Sequence, residues 1–208
     1  LEPEVLRFKT AVALSAHQLK EIGERLEKTQ EGKEHAMIIE AHRLMLQDPM
    51  IVDRVRKTIE ERRVNAEWAI REVVTGLLAQ FEALDDEYFR ERKSDIDFIG
   101  DRLIRNLLGL VVDVDNSRDI PTDAILVAQD LSPSDAALLL VNGRCAGFVT
   151  DIGGHTSHTA IVARSMNIPA VVGAREASRL IRQDDWVIVD GDAGVVVINP
   201  SPIVLEEY

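Results

Sequence analysis

The sequence predicts a two-part α+β architecture, with a helical bundle over residues 1–110 followed by an α/β domain over residues 111–208. Before Gly109, apolar residues recur at steps of three and four, which is the period of one face of a helix. After Gly109 they form short β-branched runs separated by turn residues, which is the pattern of strands. Since 46% of the 208 residues are hydrophobic, the chain can close one or two ordinary cores.

Five helical segments are predicted in the first half. The first carries an apolar stripe on Val5, Phe8, Val12, Ser15, Leu19, Ile22 and Leu26. The second extends from Glu34 to Gln47 and ends at Asp48-Pro49, because proline cannot continue the backbone hydrogen bonds. A shorter helix follows to about Arg62. Two further stripes lie on Ala66, Ala69, Ile70, Val73, Leu77 and Leu84, and on Phe89, Ile96, Ile99, Leu103 and Leu107. Gly109 is the predicted cap of the last helix.

Five short strands are predicted in the second half, at AILVA, AGFVT, IPAVVG, WVIVD and GVVVINP. Short helices lie between them. One begins at Ser132-Pro133-Ser134-Asp135, where serine serves as the cap and proline stands in the first turn. Residues 190–194 join the last two strands as a hairpin, and residues 113–122 are the predicted linker between the two halves.

Charge and composition exclude several classes of protein. The formal net charge is −12, with 18 basic and 22 acidic residues up to position 110 and 6 and 14 beyond it. Such a chain repels nucleic-acid phosphates but is compatible with a basic protein partner. No apolar run is long enough for a membrane span, and the first residues lack a signal peptide, so a soluble protein is expected. A single cysteine, Cys145, fits a reducing cytoplasm.

The segment DIGGHTSHTAIVAR, residues 151–164, holds the candidate chemistry. It runs from a strand end through Gly153-Gly154 into a helix with His158 in its first turn. The glycines permit close approach of another molecule, and Thr156 or Ser157 can cap the helix. Free N–H groups and the helix dipole favour an oxyanion there and disfavour imidazolium. His158 is therefore predicted to be a neutral nucleophile that stores a phosphoryl group as phosphohistidine.

Residue types and spacing alone leave other interpretations open. A histidine in the first turn of a helix is commonly a polar surface or cap residue. His155 and His158 could instead ligate a metal together with Asp151, although two histidines and a distant acid are a weak zinc pattern. The helical bundle could be purely structural.

The stretch GGHTSHTAIVARSMNIPAVVG resembles the phosphohistidine signature shared by enzyme I of the bacterial phosphotransferase system, pyruvate phosphate dikinase and phosphoenolpyruvate synthase. LDDEYFRERKSDIDFIGDRLIRNLLGL resembles the last helix of the enzyme I helical subdomain, an insert that the dikinases lack. IEAHRLMLQDPM resembles the enzyme I segment that faces its acceptor, the phosphocarrier protein HPr. Together these stretches favour the amino-terminal half of enzyme I, a phosphoenolpyruvate-protein phosphotransferase.

The resemblance implies that His158 takes phosphate from phosphoenolpyruvate and passes it to a histidine of HPr, the first step of the sugar phosphotransferase system. Ser132 stands where many relatives have a threonine that hydrogen-bonds the resting histidine. His155 stands where relatives often carry arginine. The loop residues expected to support the active histidine are Gly153, Gly154, Thr156 and Ser157.

HPr is expected to dock on the helical bundle. The positions that match the family's docking residues are Glu34, Leu44, Met45, Phe81, Tyr88, Phe89 and Arg92. Phe81 and Phe89 would also suit a core, and Arg92 would suit solvent. His42 lies in the same segment, with a docking role and a core role both open.

The family begins with a short β segment and continues into a phosphoenolpyruvate-binding barrel that supplies Mg²⁺ ligands and forms the dimer. The resemblance therefore implies that this chain is a monomeric fragment without a metal site, which exchanges phosphate with phospho-HPr alone. Two rivals remain: a phosphohistidine domain of a dikinase or synthase, which needs no HPr, and a non-catalytic binding or regulatory module.

Overall fold

A computed structural model describes residues 1–28, 33–83, 93–110, 121, 123–142, 145–154, 157–165 and 167–208, with the backbone alone at residues 34, 139–142, 158, 162 and 165. The chain divides into two compact units, one of Leu1–Glu27 with Ala36–Val112 and one of Lys28–His35 with Asp113–Tyr208. The first is helical and the second is α/β, so the predicted fold class is confirmed. The boundary at residue 110 stays a prediction, because residues 111–120 lie outside the described part.

The described residues of the first unit form five helices, of which α2 belongs to the unit from Ala36 onward. They are α1 (Glu2–Leu26), α2 (Lys33–Met45), α3 (Pro49–Arg62), α4 (Ala66–Glu82) and α5 (Lys93–Leu108). In α1 the buried stripe is Phe8, Ala11, Ser15, Leu19, Ile22 and Leu26. Ala11 therefore takes the place predicted for Val12, which is half-buried.

Local chemistry sets the helix ends. Asp48 accepts a hydrogen bond from the Met50 N–H (2.7 Å) at the start of α3, and Asn65 accepts one from the Trp68 N–H (3.0 Å) at the start of α4. After α5 the chain turns at Gly109, where φ is +68°. This confirms the predicted cap, since a left-handed glycine is the usual way to end a helix.

The core of the first unit lies along one face of each helix. α5 packs against α4 and α1, and α3 packs against α4. The largest fully buried side chains are Phe8, Leu19, Ile22, Leu26, Ile39, Leu46, Val55, Ile59, Ile70, Leu77, Ile99 and Leu103. Burial of each contributes about 1.5–3 kcal/mol, so the packing of these faces holds the helices together.

The second unit contains two small sheets and four helices among its described residues. They are β1 (Ile125–Ala128), α6 (Pro133–Asn142), β2 (Gly147–Thr150), α7 (His158–Ser165), β3 (Ala170–Val172), α8 (Ala177–Leu180), β4 (Val187–Asp190), β5 (Val195–Ile198) and α9 (Pro202–Glu207). The strands β1, β2 and β3 form a parallel sheet in that order, with Val127 opposite Val149 and Val149 opposite Val171. β4 and β5 pair antiparallel, which confirms the predicted hairpin.

The parallel sheet determines where the loop between β2 and α7 lies. β2 is the central strand and is buried along its whole length. Because parallel strands share one carboxyl edge, the chain after β1, β2 and β3 emerges at the same side of the sheet, which is where α/β proteins place their sites. None of the described helices is both long enough and apolar enough to cross a bilayer.

Candidate functional site

The loop after β2 starts from a firmly held strand end. Toward β1, the N–H groups of Asp151 and Ile152 donate to the carbonyls of Ala128 (3.1 Å) and Gln129 (2.9 Å). The pairing of the sheet thus continues two residues beyond β2, and the loop that leads to His158 leaves from a fixed point.

Toward β3, the same strand end is held from the other side. The N–H groups of Ala174 and Arg175 donate to the carbonyls of Thr150 (2.9 Å) and Asp151 (3.0 Å). The Thr150 hydroxyl also donates to the Ile152 carbonyl at 2.7 Å. Hydrogen bonds from both neighbours therefore define the backbone through residue 152.

The two glycines of the loop differ in what they contribute. Gly153 has φ +126°, and a Cβ built there would lie 3.3 Å from Cβ of Val172. Gly173 faces it with φ +77°, and a Cβ at Gly173 would lie 2.9 Å from the Gly153 carbonyl oxygen. Gly154 has nothing within 4 Å of its Cβ position. Gly153 is thus required by the backbone, whereas Gly154 leaves open space.

Helix α7 begins at His158, immediately after its cap. The Ser157 hydroxyl oxygen accepts a hydrogen bond from the Ala160 N–H at 3.2 Å, and the Ser157 N–H donates to the Gly154 carbonyl at 2.9 Å. The first amides of a helix, here those of His158 and Thr159, have no acceptor within the helix itself. Amides at the positive end of a helix are therefore candidate donors to an anion.

The segment before α6 packs onto the first turn of α7. Thr159 is 5% exposed, and its hydroxyl donates to the Leu131 carbonyl at 3.1 Å. The next residue, Ser132, accepts the Asp135 N–H at 3.1 Å, which confirms the predicted helix start, and its Oγ lies 2.9 Å from Oγ of Ser134. The Thr159 hydrogen bond therefore brings the Ser132 segment next to the start of α7.

The carboxylate of Asp151 is committed to a structural contact. Its Oδ1 accepts the Ser178 N–H at 3.0 Å and its Oδ2 accepts the Ser178 hydroxyl. These hydrogen bonds, the hydroxyl first, hold the pKa of Asp151 below its usual range. Within the described residues, no group of three or more His, Cys, Asp and Glu side chains is arranged to hold a metal. Of the other two residues of the metal interpretation, His155 lies outside them and only the backbone of His158 is described.

On α2, the proposed docking residues differ in how far their side chains are exposed. Leu44 is 57% exposed and Met45 is half-buried. His42 is 3% exposed, with Nε2 at 3.1 Å from Oδ1 of Asp95 on α5, so its burial favours the core role. Only the backbone of Glu34 is described, in the first turn of α2.

The remaining predicted residues are only partly placed. Phe81 lies half-buried near the end of α4. Tyr88, Phe89, Arg92 and Thr156 fall outside the described residues, and for His158 only the backbone is described. The docking role of these positions therefore stays a prediction from the resemblance.

Two contacts and one buried residue of the site are not apparent from motifs. These are the hydrogen bond from Thr159 to Leu131, the pair of Asp151 with Ser178, and the burial of Ser134. One signal pointed to Asp151, because an acidic residue that directly follows a buried parallel strand stands at the edge where sites form.

Comparisons with known proteins agree with this arrangement. The family described as PEP-utilising enzyme, N-terminal, matches residues 1–92, and PEP-utilising enzyme, mobile domain, matches residues 120–194. The chain is 43% identical over 209 residues to a phosphoenolpyruvate-protein phosphotransferase of Bacillus sp. (strain S) and 44% identical over 207 residues to that of Bacillus subtilis (strain 168). All of this chain is matched, but it spans only 35% and 36% of those relatives.

Two solved structures resemble the whole chain. An NMR solution structure of an Enzyme I protein (nEIt) is 38% identical with a TM-score of 0.77, and the match covers 99% of this chain and 82% of that one. An N-terminal domain of Enzyme 1 - Nitrogen is 31% identical with a TM-score of 0.65, again over 99% and 82%.

Proposed function

The chain belongs to the enzyme I family of phosphoenolpyruvate-protein phosphotransferases, and we propose that it is the part in which His158 carries the phosphoryl group between phosphoenolpyruvate and HPr. In the proposed exchange, a ring nitrogen of His158 attacks phosphorus, so that a new N–P bond forms while the N–P bond on the carrier histidine breaks. The reverse step returns the group to HPr. With phosphoenolpyruvate as donor, the bond broken would be its O–P ester bond.

One observation carries the proposal: His158 is the first residue of α7, directly after the Ser157 cap, at the end of the helix where the first amides have no acceptor within the helix itself. Those amides and the dipole of α7 would stabilise the oxygens of a phosphoryl group on the ring. The open space at Gly154 would let those oxygens approach the backbone.

Ser132 is suited to orient the ring of His158. A serine hydroxyl has one proton to donate and two lone pairs that accept. Ser132 Oγ accepts from the Asp135 N–H and can accept from the Ser134 hydroxyl, which leaves its own proton for an imidazole nitrogen. Capping α6 and orienting His158 are therefore compatible roles for one oxygen.

HPr is the proposed acceptor, docked on the exposed face of α2. Leu44 would supply an apolar contact there, bordered by the half-buried Met45, and the half-buried Phe81 on α4 is added by resemblance. The positions Glu34, Tyr88, Phe89 and Arg92 extend the proposed surface by resemblance. The net charge of −12 would favour a basic face on the carrier.

The remaining properties of the whole enzyme are proposals about the part of the relatives that this chain does not match. They are the binding of phosphoenolpyruvate and Mg²⁺, dimerisation, and a role in cytoplasmic sugar uptake. For the 208-residue chain by itself we propose reversible phosphate exchange with phospho-HPr.

A mass spectrum after incubation with phospho-HPr tests the proposal. The expected result is an adduct of one phosphate that acid removes and that His158→Ala abolishes. His155→Ala is the matched control, because it removes the other histidine of the same loop and should leave the adduct in place. No adduct on the unsubstituted chain would favour a binding module. An adduct formed with phosphoenolpyruvate but not with phospho-HPr would favour the dikinase rival.

A further inference from the structure

Asp151 is a buried carboxylate for which the proposed chemistry has no use. It is 9% exposed at the carboxyl end of β2, and each of its oxygens accepts a hydrogen bond from Ser178. Its carbonyl accepts another from the Arg175 N–H at 3.0 Å. One residue therefore joins β2 at three points to the chain that runs from β3 into α8.

The chain from β3 into α8, which Asp151 holds, lies against the loop that follows β2. The carbonyl oxygen of Gly153 lies 2.9 Å from where a Cβ of Gly173 would stand, and a Cβ at Gly153 would lie 3.3 Å from Val172. The hydroxyl oxygens of Ser157 and Thr150 would lie 3.5 and 3.7 Å from the same Cβ position at Gly153. Movement of residues 173–178 away from β2 would therefore remove the close contact with Gly173 that fixes the position of Gly153.

The position of Gly153 passes to α7 through a short stretch of chain. The Gly154 carbonyl accepts the Ser157 N–H at 2.9 Å, and Ser157 caps the helix that begins at His158. The place of the imidazole depends on where this turn begins, because only four residues separate Gly153 from His158.

We propose that Asp151, acting through Ser178, is a positioning residue that fixes where α7 begins and so aims His158 at the incoming phosphorus. The inference rests on the phosphoryl-transfer function proposed above. Both carboxylate oxygens of Asp151 accept hydrogen bonds from Ser178, so the proposed effect of Asp151 on the ring is indirect. Its effect would come from geometry, since a displacement of about 1 Å in a reacting group can cost up to about a hundredfold in rate.

Steady-state exchange with phospho-HPr, measured on the 208-residue chain, tests this role. We expect Asp151→Ala to lower kcat by about tenfold or more, with KM for phospho-HPr unchanged because the carrier docks on the helical unit. Asp151→Asn should restore much of kcat, since an amide can still accept the Ser178 N–H and can donate to its hydroxyl oxygen. Ser178→Ala, which keeps the backbone bond, should fall between them.

Asp185→Ala is the matched control. Asp185 is a carboxylate of the same unit that also accepts one backbone bond, from Arg182 (2.8 Å), and one side-chain bond, from Asn199 (3.2 Å). It should leave kcat and the NMR resonances of the His158 ring unchanged, whereas Asp151→Ala should shift those resonances.

The outcomes separate the two proposals. The positioning role is overturned if Asp151→Ala has the same kcat and the same His158 ring resonances as Asp185→Ala. Should Asp151→Ala not fold, Ser178→Ala takes its place in this comparison. If the unsubstituted chain takes up no phosphate, or His158→Ala still does, the proposed function is overturned instead.

Discussion

The Nε2 atom of His42 lies 3.1 Å from Oδ1 of Asp95, which joins α2 to α5 through two side chains that are 3% and 6% exposed. Buried polar groups are costly unless they are hydrogen-bonded, so each of these residues depends on the other. Helix α2 also presents Leu44 to solvent. His42 would thus support the proposed docking surface from inside the bundle rather than form part of it.

Asp95→Ala should lower the free energy of unfolding by about 1–3 kcal/mol, because it leaves the buried His42 ring without its acceptor. Denaturant titration measures the change. Asp97→Ala is the control on the same helix, where the exposed side chain should change the free energy by no more than about 0.5 kcal/mol. Equal effects of the two variants would contradict the account of this pair.

Two helical glycines should respond to alanine in opposite directions. A Cβ at Gly100 would lie 2.7 Å from Cγ2 of Val74, whereas a Cβ at Gly76 meets nothing within 4 Å. Alanine gains up to about 1 kcal/mol over glycine inside a helix, so Gly76→Ala should stabilise. At Gly100 overpacking against a stiff β-branched side chain costs about 1–3 kcal/mol, which outweighs that gain.

The difference in unfolding free energy between Gly76→Ala and Gly100→Ala isolates the clash between α4 and α5. Thermal or denaturant unfolding gives both values, and Val74→Ala added to Gly100→Ala should recover part of the loss. If Gly100→Ala were as stabilising as Gly76→Ala, the close approach of the two helices would be refuted.

Most elements could be predicted from local signals. The steps of three and four placed α1, but Val5 and Val12 are only half-buried, and the true period of 3.6 residues brings Ala11 onto the buried face instead of Val12. All five strand runs became strands, since β-branched residues between turns are distinctive. The order β1, β2, β3 could not be predicted, because parallel pairing joins segments about 20 residues apart through no local pattern.

In the candidate site too, local features could be predicted, whereas contacts between residues far apart in the sequence could not. Ser157 was one of two predicted caps because capping is decided within three residues. The partner of Asp151 is 27 positions away and that of His42 is 53 positions away. Such pairs depend on the tertiary fold, so Asp151 was considered only as a metal ligand and the role of His42 stayed open.

Gly153 and Gly154 should separate stability from phosphoryl transfer. Gly153→Ala forces a side chain into a backbone with φ +126° beside Val172, so we expect a loss of about 1–3 kcal/mol of unfolding free energy. Gly154→Ala adds its methyl group to open space and should leave stability nearly unchanged. It should nevertheless slow uptake from phospho-HPr, because the methyl group narrows the approach to the amides of α7.

Denaturant titration and the exchange rate together test this pair of glycines. Each variant serves as the control for the other, since both make the same chemical change in adjacent residues. A destabilised Gly154→Ala, or a Gly153→Ala as stable as the unsubstituted chain, would contradict the backbone account.

The hydrogen bonds from Ser178 should make stability depend on pH through Asp151. Because they hold the pKa of Asp151 below its usual value near 3.9, the folded state gains stability that is fully present above about pH 4–5. That gain is lost as pH falls through the lower folded pKa, when the carboxylate is protonated. The free energy of unfolding of the unsubstituted chain minus that of Asp151→Asn should therefore shrink below about pH 4, as denaturant titrations at stepped pH would measure. Asp192→Asn, at an exposed carboxylate in the β4–β5 turn, is the control and should leave the pH dependence as it is. A difference between the unsubstituted chain and Asp151→Asn that stays constant down to pH 2 would rule out this linkage.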